Sequence, residues 1–322
     1  MAPLPVVEVD DLDAALAEHQ ARGYRVDRVS PADSPWEIDV SIDGADALCL
    51  RRRGDRPADE DRESDGPIVS LIAEADDFGS GRAGMAYRDL IPGRLGGRFI
   101  ASHIRVGADG PVADYPHHHR VRFQMIYCVR GWARLVYEDQ GDPFRFEAGD
   151  CVLQPAGIRH QVLEAGGGLE VVEVGAPAVH DTFADHDITL PTGRVEPDRD
   201  FAGQRFVHHV AASSPWLATR QPGLTIRDIG FGPASDGVAG ARVVRVEGDD
   251  DIRTPWLHHD AEFMFVYILA GSIVLGTDDI THTLEVDDSA VVPRGPRYAM
   301  RVAPGTDYLE VTLPATPAVT PA

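Results

Sequence analysis

The sequence predicts a mostly β protein, with two related antiparallel barrels preceded by a small β-α-β-β-β module. Three observations carry that expectation. The 322 residues include 32 glycines and 24 prolines, a punctuation dense enough to favour many short strands joined by turns over long helices. The apolar runs are short and many alternate with polar residues. The chain also repeats itself at an offset of about 140 residues, the mark of a duplicated unit.

The elements follow in order. Val6 to Val9 is a short apolar run. Asp11-Leu12-Asp13 opens a helix that runs to Arg22, with Gly23 just beyond its end. Strands are expected over Tyr24–Val29, Glu37–Ile42 and Ala47–Leu50, with Gly44 turning the chain between the last two. The order of elements and the phrase LDAALAEHQARGYRVDRVSPAD resemble one half-module of the glyoxalase-type vicinal oxygen chelate fold. The resemblance implies a structural or dimerising module; no His or Glu stands at the usual ligand strands, and a lone half-module has an open sheet edge that wants a partner. Residues 51–66, RRRGDRPADEDRESDG, carry almost no apolar side chain and read as a solvated linker.

The repeat then begins. AYRDLIPGRLGGRFIASHIRVGADG at 86–110 parallels TIRDIGFGPASDGVAGARVVRVEGDD at 225–250, and HHHRVRFQMIYCVRG parallels LHHDAEFMFVYILAG. AGDCVLQPAGIRH answers to VDDSAVVPRGPRY, and LEVVEVGAPA to LEVTLPATPA. The expected divisions are the module at 1–53, a linker at 54–84, the first barrel at 85–178, a connecting segment at 179–223 that wraps over the barrels, and the second barrel at 224–322.

The bulk composition excludes several classes of function. With 30 basic and 52 acidic residues the formal net charge is −22, which repels nucleic-acid phosphates and anionic membranes. Cys49, Cys128 and Cys151 are odd in number and contain no Cys-x-x-Cys pair, which argues against a disulfide framework and a zinc ribbon. The N-terminus shows no basic region followed by an apolar stretch, and the apolar runs fall short of a membrane span. A cytoplasmic location is expected.

One constellation carries chemistry. It runs Pro116-His117-His118-His119-Arg120-Val121-Arg122-Phe123-Gln124, then six residues to Gly131, and later Gly149, Pro155, Gly157 and His160. This resembles the two motifs of the cupins, small jelly-roll barrels, in residue type and in spacing. The resemblance implies a bicupin and one divalent metal ion held by His117, His119, His160 and Gln124. Fe²⁺ is the expected ion, with Mn²⁺, Ni²⁺, Zn²⁺ or Cu²⁺ as alternatives. The spacing suits the role. Residues two apart on a strand share a face, so His117 and His119 point inward while His118 points away. A facial array of this kind leaves positions open for substrate.

Two departures from the cupin pattern stand out. Pro111 occupies the usual glycine position before the histidines. Gln124 occupies the place of the usual Glu, so three imidazoles and an amide would leave the ion's +2 charge uncompensated. An anionic substrate is therefore expected. Ile126 and Cys128 share the face of Gln124 and are expected to line the pocket, with Arg122 beside them; Arg122, Arg130 and Arg134 could steer an anion or be solvated strand residues. In the second repeat the ligand positions become Leu257, His259, Met264 and Tyr298, and Asp287 stands where Gly149 stands. That barrel is expected to be structural, although His258, His259 and Glu262 cluster. His180, His186, His208 and His209 in the connecting segment read as surface histidines. The resemblance implies a metal-dependent enzyme, expected as a non-haem Fe(II) dioxygenase acting on a small carboxylate, enolate or catechol-like anion, in a homodimer. The alternatives are a redox-neutral isomerase, lyase or decarboxylase, and a non-catalytic metal and small-acid binding protein.

Overall fold

The computed structural model describes residues 3–42, 45–54, 66–74, 78–80 and 85–322. The acidic stretch at 55–65 and the turn assigned to Gly44 lie outside them.

The N-terminal order is as the sequence suggests. The strand Val6–Val9 is followed by the helix Leu12–Ala21 and the strands Arg25–Ser30, Glu37–Ile42 and Ala45–Arg52. Asp11 caps the helix, its carboxylate accepting the Ala14 N–H at 2.9 Å. Leu12, Val26, Val29, Ile38, Val40 and Leu50 form a small core between helix and sheet. The expected open edge is taken up within the same chain. Arg25–Ser30 pairs with Thr182–Ala184 of the connecting segment, and that strand pairs in turn with His117–His119. Unpaired backbone groups at a sheet edge recruit whatever strand is near, and here it is the edge of the first barrel. The module thus continues the barrel's own sheet.

The first barrel is built around two long strands, Phe123–Tyr137 and His160–Ala176, paired antiparallel from Phe123 opposite Ala176 to Tyr137 opposite His160. The strand passes through Gly131 and bends there, with register shifts on either side. Gly131 has φ +70°, and a Cβ there would lie 2.6 Å from the Gly166 carbonyl oxygen, so only glycine lets the strand curl back over its partner.

The strand is buried on both faces. Phe123, Met125 and Tyr127 join a seam that also contains Phe231, Phe263, Phe265 and Tyr267 of the second barrel. Gln124 and Ile126 face the first barrel's cavity, and Cys128 its apolar interior. At the centre of the seam Phe99 stacks on Phe263, with ring centroids 4.3 Å apart.

The second barrel consists of the sheet containing Leu224–Asp228, Gly240–Val246, Phe263–Ala270, Ser289–Val291 and Asp307–Leu313, together with a four-stranded sheet. Its interior is filled by Met264, Val266, Ile268, Leu275, Leu284 and their neighbours. The expected linker at 54–84 is partly built into it: Ile68–Ser70 pairs with Ser289–Val291 as an added strand, so the chain crosses the second barrel before entering the first. The connecting segment also lies against the first barrel, adding Val207–His209 to Cys151–Leu153 as well as Thr182–Ala184 to the histidine strand.

Because Phe263 is buried in the seam that packs the barrels together, Phe263→Ala is expected to lower stability by about 3–5 kcal/mol. A denaturant titration should show an earlier transition with the same strand content in the native baseline.

Candidate metal centre

His117 and His119 stand two apart on one short strand and are 1% and 7% exposed. Their rings therefore project to one side. His160 opens the long return strand directly opposite His117 and is 6% exposed. Gly157, at φ +81°, turns the chain into it, and the Gly157 N–H donates to the His119 carbonyl at 2.9 Å. Ring centroids lie 4.2 Å apart for His117 and His160, and 5.2 Å apart for His119 with either of the others. One ligand nitrogen from each ring lies within 4.8 Å of the others.

The outer contacts set the tautomers. His117 Nδ1 is 2.8 Å from the Tyr115 carbonyl, and His160 Nδ1 is 3.1 Å from the Ile158 carbonyl. A carbonyl only accepts, so in the neutral rings the proton sits on Nδ1 and the lone pair on Nε2. His119 Nδ1 meets the Thr182 hydroxyl at 3.0 Å. Such outer partners orient imidazoles for metal ligation, and the donor set of three neutral histidines suits a divalent transition metal. Thr182 lies on the strand that joins the histidine strand to the N-terminal module, so the module's sheet reaches a candidate ligand through one residue.

Gln124 comes in from the next strand, 2% exposed. Its Nε2 donates to Glu173 at 2.7 Å, and its carbonyl oxygen accepts from Gln154 Nε2 at 3.2 Å. Gln154 in turn accepts from the Tyr137 hydroxyl. Tyr137 is stacked on His160 at 5.3 Å, and burial pushes its phenol well above the usual value, so it stays a neutral donor. A cavity of about 100 Å³ opens among the three histidines, Gln124, Gln154 and Glu173, walled by Tyr87, Ile104, Ile126, Leu135, Phe146 and Val171. Ala32 of the N-terminal module also lines it.

Several expectations are revised. Arg122 is half exposed and makes a two-pronged ion pair with Glu262 of the second barrel at 2.9 Å, so it does not line the cavity. Cys128 is fully buried in the apolar interior, its thiol pushed up to about 12 by that burial, and does not reach the cavity either. The first register shift comes only after Cys128, so it keeps the face of Ile126, but its thiol turns to the Arg130 and Gly131 carbonyls at 3.5 and 3.7 Å. His118 turns away and stacks on Phe183 at 5.4 Å. His180 is buried, not a surface residue, with its ring edge-on to His119 at 5.5 Å; His209 is buried too.

In the second barrel, His258 is half-buried with its Nδ1 2.9 Å from the Gly295 carbonyl, and Glu262 is engaged with Arg122, so the suspected cluster does not assemble. Among the described residues, His117, His119 and His160 alone form a group of three or more potential metal-ligating His, Cys, Asp or Glu side chains.

Glu173 changes the charge balance expected from the sequence. A carboxylate is present in the cavity after all, one hydrogen bond away from the position where the motif usually carries it. Sequence reasoning missed Glu173, Gln154 and Tyr137. A signal for Glu173 existed in the second repeat, where Glu310 holds the same place, but aligning LEVVEVGAPA with LEVTLPATPA matches Glu310 to Glu170 instead.

The half-exposed Arg122–Glu262 pair should contribute little. Arg122→Ala is expected to cost less than about 1 kcal/mol of stability and to leave any metal affinity at the histidines unchanged, as read by thermal unfolding and by metal titration.

Comparison with known proteins agrees with this architecture. Residues 102–175 match the family described as Cupin domain. By structure the chain is similar to a salicylate 1,2-dioxygenase from Pseudaminobacter salicylatoxidans, with TM-score 0.59 and 13% identity, covering 80% of this chain and 89% of that one. It is also similar to oxalate decarboxylase from Bacillus subtilis, with TM-score 0.56 and 13% identity, covering 81% of this chain and 80% of that one. A sequence search of curated proteins finds no match. With a match to the cupin domain over residues 102–175 and a second barrel of the same build, the chain has the two-barrel fold of the bicupins.

Proposed function

We propose that the protein is a metal-dependent enzyme whose first barrel holds one divalent ion on the Nε2 atoms of His117, His119 and His160, with Gln124 beside them. The observation that carries this is the convergence of three buried imidazoles, with Nδ1 of each engaged at its outer side, at the wall of a cavity. A surface run of histidines would have no reason to be buried, oriented and joined by a residue from a third strand.

The reaction we favour is dioxygenation of a small anionic compound. A bound Fe(II) ion supplies a Lewis acid and the electrons for dioxygen chemistry. The chain's residues do the rest. The apolar wall of Ile104, Ile126, Leu135 and Val171 excludes water around the substrate. Gln124, Gln154 and Tyr137 form a fixed line of donors and acceptors that orients it. The two solved bicupins act, by their names, on oxalate and salicylate, both carboxylates. That supports an acid as substrate here. A redox-neutral lyase or decarboxylase is the competing chemistry, and the Mn(II) centres of the Bacillus subtilis decarboxylase are its support.

Two measurements test the proposal. Elemental analysis of purified protein should find close to one ion per chain, and both His119→Ala and His160→Ala should lose it. If both variants keep a stoichiometric ion, the centre is elsewhere. Protein loaded with Fe(II) should consume oxygen with small carboxylates or catechols. Equal turnover of the same compounds without oxygen and with Zn(II) would replace the oxygenase with the redox-neutral alternative.

A further inference from the structure

The cavity at the histidines has two ends of unlike character. On the return strand Glu173, Val171 and Leu169 line it at alternate positions, and on the first long strand Tyr137, Leu135 and Ala133 do the same. The pairs Tyr137 with His160 and Leu135 with Val162 keep the strands in step, so these rows lead from the histidines into the barrel. Leu169 reaches the same end as Ala133, since its Cα lies against Gly131, 2.8 Å from where a Cβ would stand. Two neighbouring strands extend the gradient. Ile104 lies between Val171 and Tyr87, and Val106 faces Met85 one row further in. Phe146 lies opposite Ala133 and closes that end. Among the described lining residues, the charged and titrating groups gather near the histidines, while Met85, Val106, Ala133, Phe146 and Leu169 make the far end. Tyr87 adds one hydroxyl there, turned to the Met85 sulfur at 3.9 Å. From Glu173 to Leu169 is four residues of strand, about 13 Å.

We infer that this site takes an amphiphilic monoacid, with its anionic head at the histidines and a short-chain or single-ring hydrocarbon body reaching toward Leu169. The inference rests on the metal-holding function proposed above and narrows its substrate class. A divalent ion on neutral imidazoles attracts the anionic head. The body gains by moving from water onto apolar walls. An apolar cavity of roughly 150 Å³ holds benzene, and the cavity of about 100 Å³ here is of the same order. A second carboxylate on the body would be buried among apolar side chains and one tyrosine hydroxyl, and none of the described residues lining that end is a cation. Oxalate and similar small diacids have no part that fills the far end.

The test loads the full-length protein with Mn²⁺ and titrates acetate, butyrate, hexanoate, octanoate and adipate by calorimetry. Affinity is expected to rise about fourfold per methylene from acetate to hexanoate and to level off at octanoate. Adipate, which puts a carboxylate in place of the terminal methyl of hexanoate, should bind more than about tenfold more weakly than hexanoate. Two variants address the far end. Val106→Ser places a hydroxyl at a half-buried position and should lower hexanoate affinity more than acetate affinity. Leu169→Ala enlarges the space and should let octanoate bind more tightly than hexanoate. Affinity independent of chain length in the wild type overturns the inference, as does adipate binding as tightly as hexanoate, or equal weakening of every acid in both variants. Each of those leaves the metal centre standing. Wild-type protein that takes up no Mn²⁺ overturns the metal-holding function, and this inference with it.

Discussion

The pairing of His117 with His160 across two antiparallel strands is the constraint on which the first barrel depends. It fixes the end of the long ladder that runs back to Phe123 and Ala176, and it fixes which face of each strand looks inward. With those two positions set, alternation along the strand puts His119 beside them, and the bend at Gly131 closes the sheet over the cavity. Each histidine is held from behind by a carbonyl or a hydroxyl, so the trio is oriented before any ligand arrives.

The surroundings are arranged for that trio at several distances. Gln124, Gln154 and Tyr137 form a hydrogen-bonded line along one side, and Glu173 ends it. Apolar residues from five strands make the rest of the wall. Beyond them, the N-terminal module and the connecting segment extend the barrel's sheet, so the edge that could have stayed open is covered by the same chain. The seam between barrels uses the other face of the Gln124 strand. One strand therefore serves the site on one side and the inter-barrel core on the other, which is why Phe123, Met125 and Tyr127 are as thoroughly buried as Gln124.

The second barrel clarifies the first by contrast. Met264, Leu257 and Tyr298 fill the positions of the missing ligands with apolar or aromatic bulk. Its Glu310 is neutralised by Arg242. Asp287, in the place of Gly149, adopts φ +71° and accepts a hydrogen bond from Tyr267 at 2.7 Å in the seam. The duplicated unit thus appears once as a site and once as a scaffold.

Much of this was legible in the chain itself. The repeat gave two barrels, and motif spacing gave His117, His119, Gln124 and His160 as candidates, because strand parity and turn residues leave local marks. The helix between Asp11 and Gly23 was equally plain. Contacts between segments far apart carry no such mark. Nothing local says that Arg122 reaches Glu262, that Thr182 backs His119, that His180 is buried, or that Ile68–Ser70 joins the second barrel. Tertiary structure decided those, since they depend on which sheet edges meet and how far each strand bends. Glu173 lies between the two cases. Its equivalence to Glu310 was present in the sequence, but only the strand ladders set the three-residue slip that pairs them.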